Sequence, residues 1–125
     1  MPTTVKEMVA AANAAVPRIG ADEAQALHAK GGAVFIDLRE PAEIAASGKV
    51  PGALAIPRGL LEFRVDPDSP ARDPALGKPV VITYCASGGR AALAGKLMQD
   101  LGYTDVRNLG GFKDWVDGGG TVEKG

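Results

Sequence analysis

Hydrophobic and polar positions alternate along the chain between a helical and a strand-like pattern. Over Ala21 to Lys30, Ala24, Leu27 and Ala29 form an apolar side, Asp22 stands near the start as a capping residue, and Gly31-Gly32 ends the run. These signals predict a helix. The next stretch, Ala33-Val34-Phe35-Ile36, is continuously apolar and ends in Asp37, which predicts a strand buried on both faces. Ala53 to Ile56, bounded by Pro51-Gly52 and Pro57, is a second short strand. Val80 to Tyr84, entered through Pro79, is the strongest strand in the chain, and Cys85 stands directly at its end. From Arg90 to Leu101, the residues Leu93, Ala94, Leu97, Met98 and Leu101 recur at helical spacing, with Gly102 as a stop. Val106 to Leu109 is a last strand, followed by Gly110-Gly111 and a helix through Phe112 and Trp115.

Between these segments, residues 64–79 carry Pro67, Pro70, Pro74 and Pro79 among three aspartates and are expected to be a loop, either a plain connector or a selectivity lid. The Ala-rich residues 1–17 are expected to form a helical N-terminal extension, 18–120 one domain, and 121–125 a C-terminal tail. Strands alternating with helices imply an α/β fold, a parallel sheet with helices on both faces. Chemistry in such sheets gathers at the carboxyl ends of the strands, where Cys85 stands.

Composition narrows the possible functions. Fourteen basic residues against fifteen acidic ones give a net charge of -1, so nothing calls for a nucleic acid or a membrane surface as partner. No apolar run approaches the roughly 20 residues that span a bilayer. The first sixteen residues lack the order of a secretory signal, so a cytoplasmic location is expected. One cysteine permits no intrachain disulfide and no cysteine-based metal cluster, and His28 has no second ligand nearby in sequence. No metal is therefore expected.

The chemistry resides in Thr83-Tyr84-Cys85-Ala86-Ser87-Gly88-Gly89-Arg90, a strand that runs through a glycine-rich loop into a helix. Gly88 and Gly89 let the backbone curl so that amides point toward one spot, with the positive end of the helix dipole behind them. A cysteine held there is expected to ionise in part to the nucleophilic thiolate. Once it carries a second sulfur, the terminal atom of Cys-S-S⁻ is an anion that the amides of Ala86 to Arg90 can hold without a general base. Two conditions must be met: amides turned inward, and a thiol open to solvent. A lone cysteine at a strand end is more often a small apolar residue. The glycines and Arg90 are what argue for chemistry.

Taken together, the chain resembles the rhodanese homology domain from about Ile19 to Gly119. The resemblance is carried by Val34-Phe35-Ile36-Asp37-Leu38-Arg39-Glu40 with Glu43-Ile44 and Gly48-Lys49-Val50-Pro51-Gly52-Ala53, by the loop Cys85 to Arg90, and by Gly110-Gly111-Phe112 with Trp115. It implies a three-layer rhodanese-like fold and a two-step sulfur transfer. Cys85 takes a sulfane sulfur from a small anionic donor such as thiosulfate, or from a persulfide, and passes it to cyanide, a thiol or a protein acceptor. No cofactor is needed. Arg90 is expected to help hold an anionic donor, with Asp37 and Arg39 in supporting, mainly structural roles: Arg39 pairing with Glu43 at helical spacing, Asp37 bracing the loops. Lys49 replaces the usual histidine of the first signature, and uncharged Ala86 stands where thiosulfate-active members often carry a basic side chain. Alternatives are a persulfide relay or regulatory module acting on a protein partner, and a cysteine phosphatase or arsenate reductase. The latter enzymes need five residues between Cys and Arg, whereas four, Ala86 to Gly89, are present here. His28 is read as an ordinary helix residue and Phe112 and Trp115 as core, with Trp115 a candidate pocket wall.

Overall fold

The apolar runs read from the sequence become strands β1 (Ala33–Asp37), β3 (Val80–Cys85) and β4 (Val106–Gly111), joined by a minimal β2 (Leu54–Ala55). A computed structural model describes residues 2–124; Met1 and Gly125, the outer ends of the expected extension and tail, lie outside the described residues. The sheet is parallel in the order β2-β1-β3-β4. β1 and β3 are buried along their whole length, as their unbroken apolar character requires. β2 is shorter than the expected Ala53–Ile56 because Pro57 ends the pairing on one side and Ala53 turns back on the other, its amide bonded to the Val50 carbonyl.

Helices cover both faces. On one lie α1 (Val5–Ala15), α4 (Leu61–Val65) and α5 (Gly89–Asp100), packing Leu61, Val65, Ala91, Ala94 and Met98 against Val34, Ile36 and Val81. On the other lie α2 (Ala21–Lys30) and α6 (Phe112–Asp117), which bury Ala24, Phe112 and Trp115 against Phe35, Ile82 and Tyr84. The two residue sets alternate along β3, so Cys85 faces α5 while Tyr84 faces α6. α1 starts at a Thr4–Glu7 capping box, and Val16, just past its end, sits so close to Gly95 of α5 that a Cβ there would stand 2.9 Å from a Val16 methyl.

The structure departs from the sequence pattern at several places. Asp22 lies in the first turn of α2, whose N-cap is Gly20, so it makes no cap. The hydrophobic pattern marks neither α4 nor α3 (Pro41–Ser47), each too short to show a period. Within the expected loop 64–79, Arg64 and Val65 finish α4, and Pro74–Gly77 form a 3-10 turn capped by the Asp73 carboxylate. The segment runs away from Cys85 to the amino end of β3. There Arg72 donates to the Tyr103 hydroxyl, which donates in turn to the Val65 carbonyl. It is a connector.

Candidate active site

Cys85 ends β3, and the chain turns through Ala86, Ser87 and Gly88 into α5. Gly88, the N-cap, has φ 101°, a left-handed conformation that a side chain would resist. In that conformation its amide turns back and donates to Cys85 Sγ over 3.0 Å. Of the amides from Ala86 to Arg90 expected to point inward, the Gly88 amide is the one bonded to the sulfur. Beneath it, the buried side chain of Asn108 on β4 accepts from the Gly110 amide over 2.8 Å and donates to the Gly88 carbonyl over 3.4 Å, fixing the loop from below. Gly111 pairs with Cys85 in the sheet register, and a Cβ on it would lie 2.5 Å from the Ala86 carbonyl oxygen. The glycine pair thus permits the close approach of β4 to the loop.

The second condition is not met: Cys85 has 0% of its surface exposed. Ala86 and Ser87 form the exposed outer wall of the loop, while the sulfur packs inward among the buried side chains of the α5 face. The reason is geometric. A residue at an odd position of β3 points toward α5, and the first turn of that helix, with Ala91, closes over it.

Arg90, in the first turn of α5, is paired with Glu43 of α3. The contacts are bidentate, Nη1 to Oε1 at 2.7 Å and Nη2 to Oε2 at 3.0 Å. The Glu43 carboxylate, and to a smaller degree the neighbouring Cys85 sulfur, hold the guanidinium firmly charged. In return, the hydrogen bond from Arg90, followed by that from the Glu40 amide, draws the Glu43 carboxyl down to about 2. Both side chains remain about one-third exposed, at 34% and 36%.

The expected Arg39–Glu43 pair does not form. Arg39 precedes the N-cap Glu40 and is not on the helix, so helical spacing does not apply to it. Its guanidinium instead grips buried Asp37 at 2.7 and 3.0 Å, donates to Ser47 Oγ and the Gly48 carbonyl, and lies 4.4 Å above the Phe112 ring. Asp37 and Arg39 therefore tie β1 to the end of α3 and to α6. His28 Nε2 donates to the Pro51 carbonyl over 2.8 Å, and the ring stands edge-on to Phe35 and Trp115, on the sheet face opposite Cys85. Trp115 is in the same cluster, its indole N–H on the Thr121 carbonyl, so it does not wall the cysteine site. Lys49 is engaged by the Ala53 carbonyl and Glu123.

Sequence reasoning misses Glu43 as the partner of Arg90 and Asn108 as the brace of the loop. The first has no local signal, since 47 residues separate the pair. The second left no distinctive trace either, since Asn108 follows another polar residue, Arg107, in β4.

Comparison with known proteins places these features. The family model for the rhodanese-like domain matches residues 20–117. A human thiosulfate:glutathione sulfurtransferase is 34% identical over 112 residues, 83% of this chain and 96% of the relative. The structure of a human single-domain sulfurtransferase superposes with a TM-score of 0.71 at 32% identity, covering 82% of this chain and 96% of the other. A Rhodopseudomonas palustris protein of unknown function, described as a possible tyrosine phosphatase, superposes at 0.85 with 40% identity, covering 98% and 99%.

Proposed function

The chain belongs to the rhodanese-like domain family, and from that we propose that it transfers sulfane sulfur through a persulfide on Cys85. The observation that carries this reading is the Gly88 amide directed at Cys85 Sγ over 3.0 Å at the start of α5. A main-chain donor backed by a helix start stabilises an anion on sulfur without a titrating base.

In the first half-reaction the Cys85 thiolate attacks the outer sulfur of the donor. With thiosulfate, the S–S bond breaks and its electron pair leaves with sulfite. In the second, an acceptor thiolate attacks the terminal sulfur of Cys85-S-S⁻ and regenerates the thiolate. Splitting the transfer in two gives ping-pong kinetics. The name of the human relative suggests thiosulfate as donor and glutathione as acceptor; cyanide is the acceptor for assay, and a protein thiol is a further acceptor of the same chemistry. No step draws on His28, which lies on the other sheet face.

The closed thiol runs against this reading: the condition of a sulfur open to solvent fails in this conformation, and transfer through Cys85 requires the loop 86–88 to move. A phosphatase reading, raised by the R. palustris protein, is disfavoured by the four residues between Cys85 and Arg90, a ring smaller than one that surrounds a tetrahedral phosphate. The test is mass spectrometry of the protein after incubation with thiosulfate, with phosphate release from an aryl phosphate measured in parallel. Cys85 is expected to gain one sulfur atom. Phosphate release with no sulfur gain would reverse the assignment.

A further inference from the structure

The Glu43–Arg90 pair occupies the charge that an anionic donor would use. Among residues 85–90, Ala86, Ser87, Gly88 and Gly89 carry no charge, and Arg90 supplies the one fixed positive charge of the loop. Both of its η nitrogens are already bonded to the Glu43 carboxylate, at 2.7 and 3.0 Å. That bidentate fork is the geometry by which a guanidinium recognises oxyanions. Glu43 does not need to be recruited. α3 presents it in place, and the same carboxylate accepts from the Glu40 amide at 3.0 Å as part of the capping box. Because both partners are about one-third exposed, a solute can reach the pair and exchange with it.

We propose that Glu43 is a specificity-determining residue, an internal competitor that an anionic sulfur donor must displace from Arg90 to reach Cys85. The inference rests on the sulfur-transfer reading above and goes beyond it in assigning donor selection to this carboxylate. Thiosulfate carries its oxyanion end to the active site and meets a guanidinium already filled. A thiol persulfide has no oxyanion bonded to the sulfur to be transferred, so it depends less on Arg90. Glu43 makes and breaks no covalent bond. In thiosulfate transfer the new bond is Cys85 S–S, the broken bond joins the outer sulfur to sulfite, and sulfite keeps the electron pair.

The test follows sulfur gain on Cys85 by mass spectrometry against donor concentration, with thiosulfate and with glutathione persulfide, in the wild type, Glu43→Gln, Glu43→Asp and Glu43→Ala. Gln retains an oxygen for the Glu40 amide, so α3 keeps its cap. For Glu43→Gln, the half-saturating thiosulfate concentration is expected to fall about tenfold. The maximal loading rate and the half-saturating glutathione persulfide should stay within about twofold. Glu43→Ala, which also removes the carboxylate, repeats the thiosulfate test independently of the Gln variant. Glu43→Asp keeps the charge and should stay within about threefold of the wild type; a fall as large as that of Gln overturns the proposal. An unchanged or raised thiosulfate requirement in both Gln and Ala also overturns it, and would make Glu43 a positioning residue for Arg90. Wild-type Cys85 that gains sulfur from neither donor would sink the sulfur-transfer reading, and this inference with it. Loading that proceeds with an unaltered thiosulfate dependence in the variants removes only the Glu43 assignment.

Discussion

A side chain on Gly111 would collide with Ala86: a Cβ built there lies 2.5 Å from the Ala86 carbonyl oxygen. The φ of Gly111 is -101°, an ordinary value, so the demand for glycine comes from space and not from backbone conformation. β4 has to run tight against the loop because Gly111 is the sheet partner of Cys85. Gly111→Ala is therefore expected to push the loop outward. Overpacking of this kind costs about 1–3 kcal/mol, and displacing the Gly88 amide from sulfur should slow transfer about tenfold to a hundredfold. Thermal unfolding and the rate of sulfur gain from thiosulfate read the two effects separately.

Cys85→Ser should abolish sulfur transfer and leave the fold in place. The hydroxyl is close in size and can accept from the Gly88 amide as Sγ does. The buried hydroxyl proton gains no acceptor among the described residues, so the stability cost is expected to be about 1–3 kcal/mol. Transfer activity surviving in this variant, measured as thiocyanate formed from thiosulfate and cyanide, contradicts the persulfide mechanism.

His28→Ala should separate stability from turnover. His28 bonds the Pro51 carbonyl position and packs on Phe35 and Trp115, so its loss is expected to cost about 1–2 kcal/mol in urea unfolding. Turnover should change by less than about threefold; a loss of about a hundredfold, or 2.7 kcal/mol of barrier, would mean the imidazole acts in the chemistry.

Arg39→Ala tests the buried brace. Asp37 has no exposed surface and takes two guanidinium nitrogens from Arg39, so removing that partner leaves a carboxylate uncompensated in the interior. The expected loss is about 3–5 kcal/mol. Urea unfolding of Arg39→Ala beside Glu43→Gln should show the Arg39 effect to be much the larger, because the Glu43–Arg90 pair is partly solvated.

Acid dependence should report the Glu43–Arg90 pair. The Glu43 carboxyl lies at about 2 in the folded protein against an ordinary 4.5, so the folded state holds it as the anion more strongly than the unfolded chain does. Its contribution to stability is complete above about pH 4.5 and is lost as pH falls toward 2. The difference between the wild-type and Glu43→Gln melting temperatures should therefore shrink across that window. A difference that stays constant from neutral pH down to acid would show that the carboxylate is not held by Arg90 in solution.

The alternation of the longer helices and strands, the parallel sheet, the place of Cys85 at a strand end and the curl at Gly88 were written in the sequence, because each depends on periodicity or on backbone freedom within a few residues; α3 and α4 were not. The rhodanese-like family was legible for the same reason: its signatures are short contiguous runs. The partners of the charged groups were not. Arg39 meets Asp37 in place of Glu43 because α3 begins two residues after the arginine, and Glu43 is then free to meet Arg90 across 47 residues of chain. Asn108 reaches Gly88 only because β3 and β4 are neighbours in the sheet. The closure over Cys85 likewise depends on which face of β3 α5 covers. Local sequence sets the shape of each segment, but a charge or a thiol takes its environment from whatever the packed layers bring beside it.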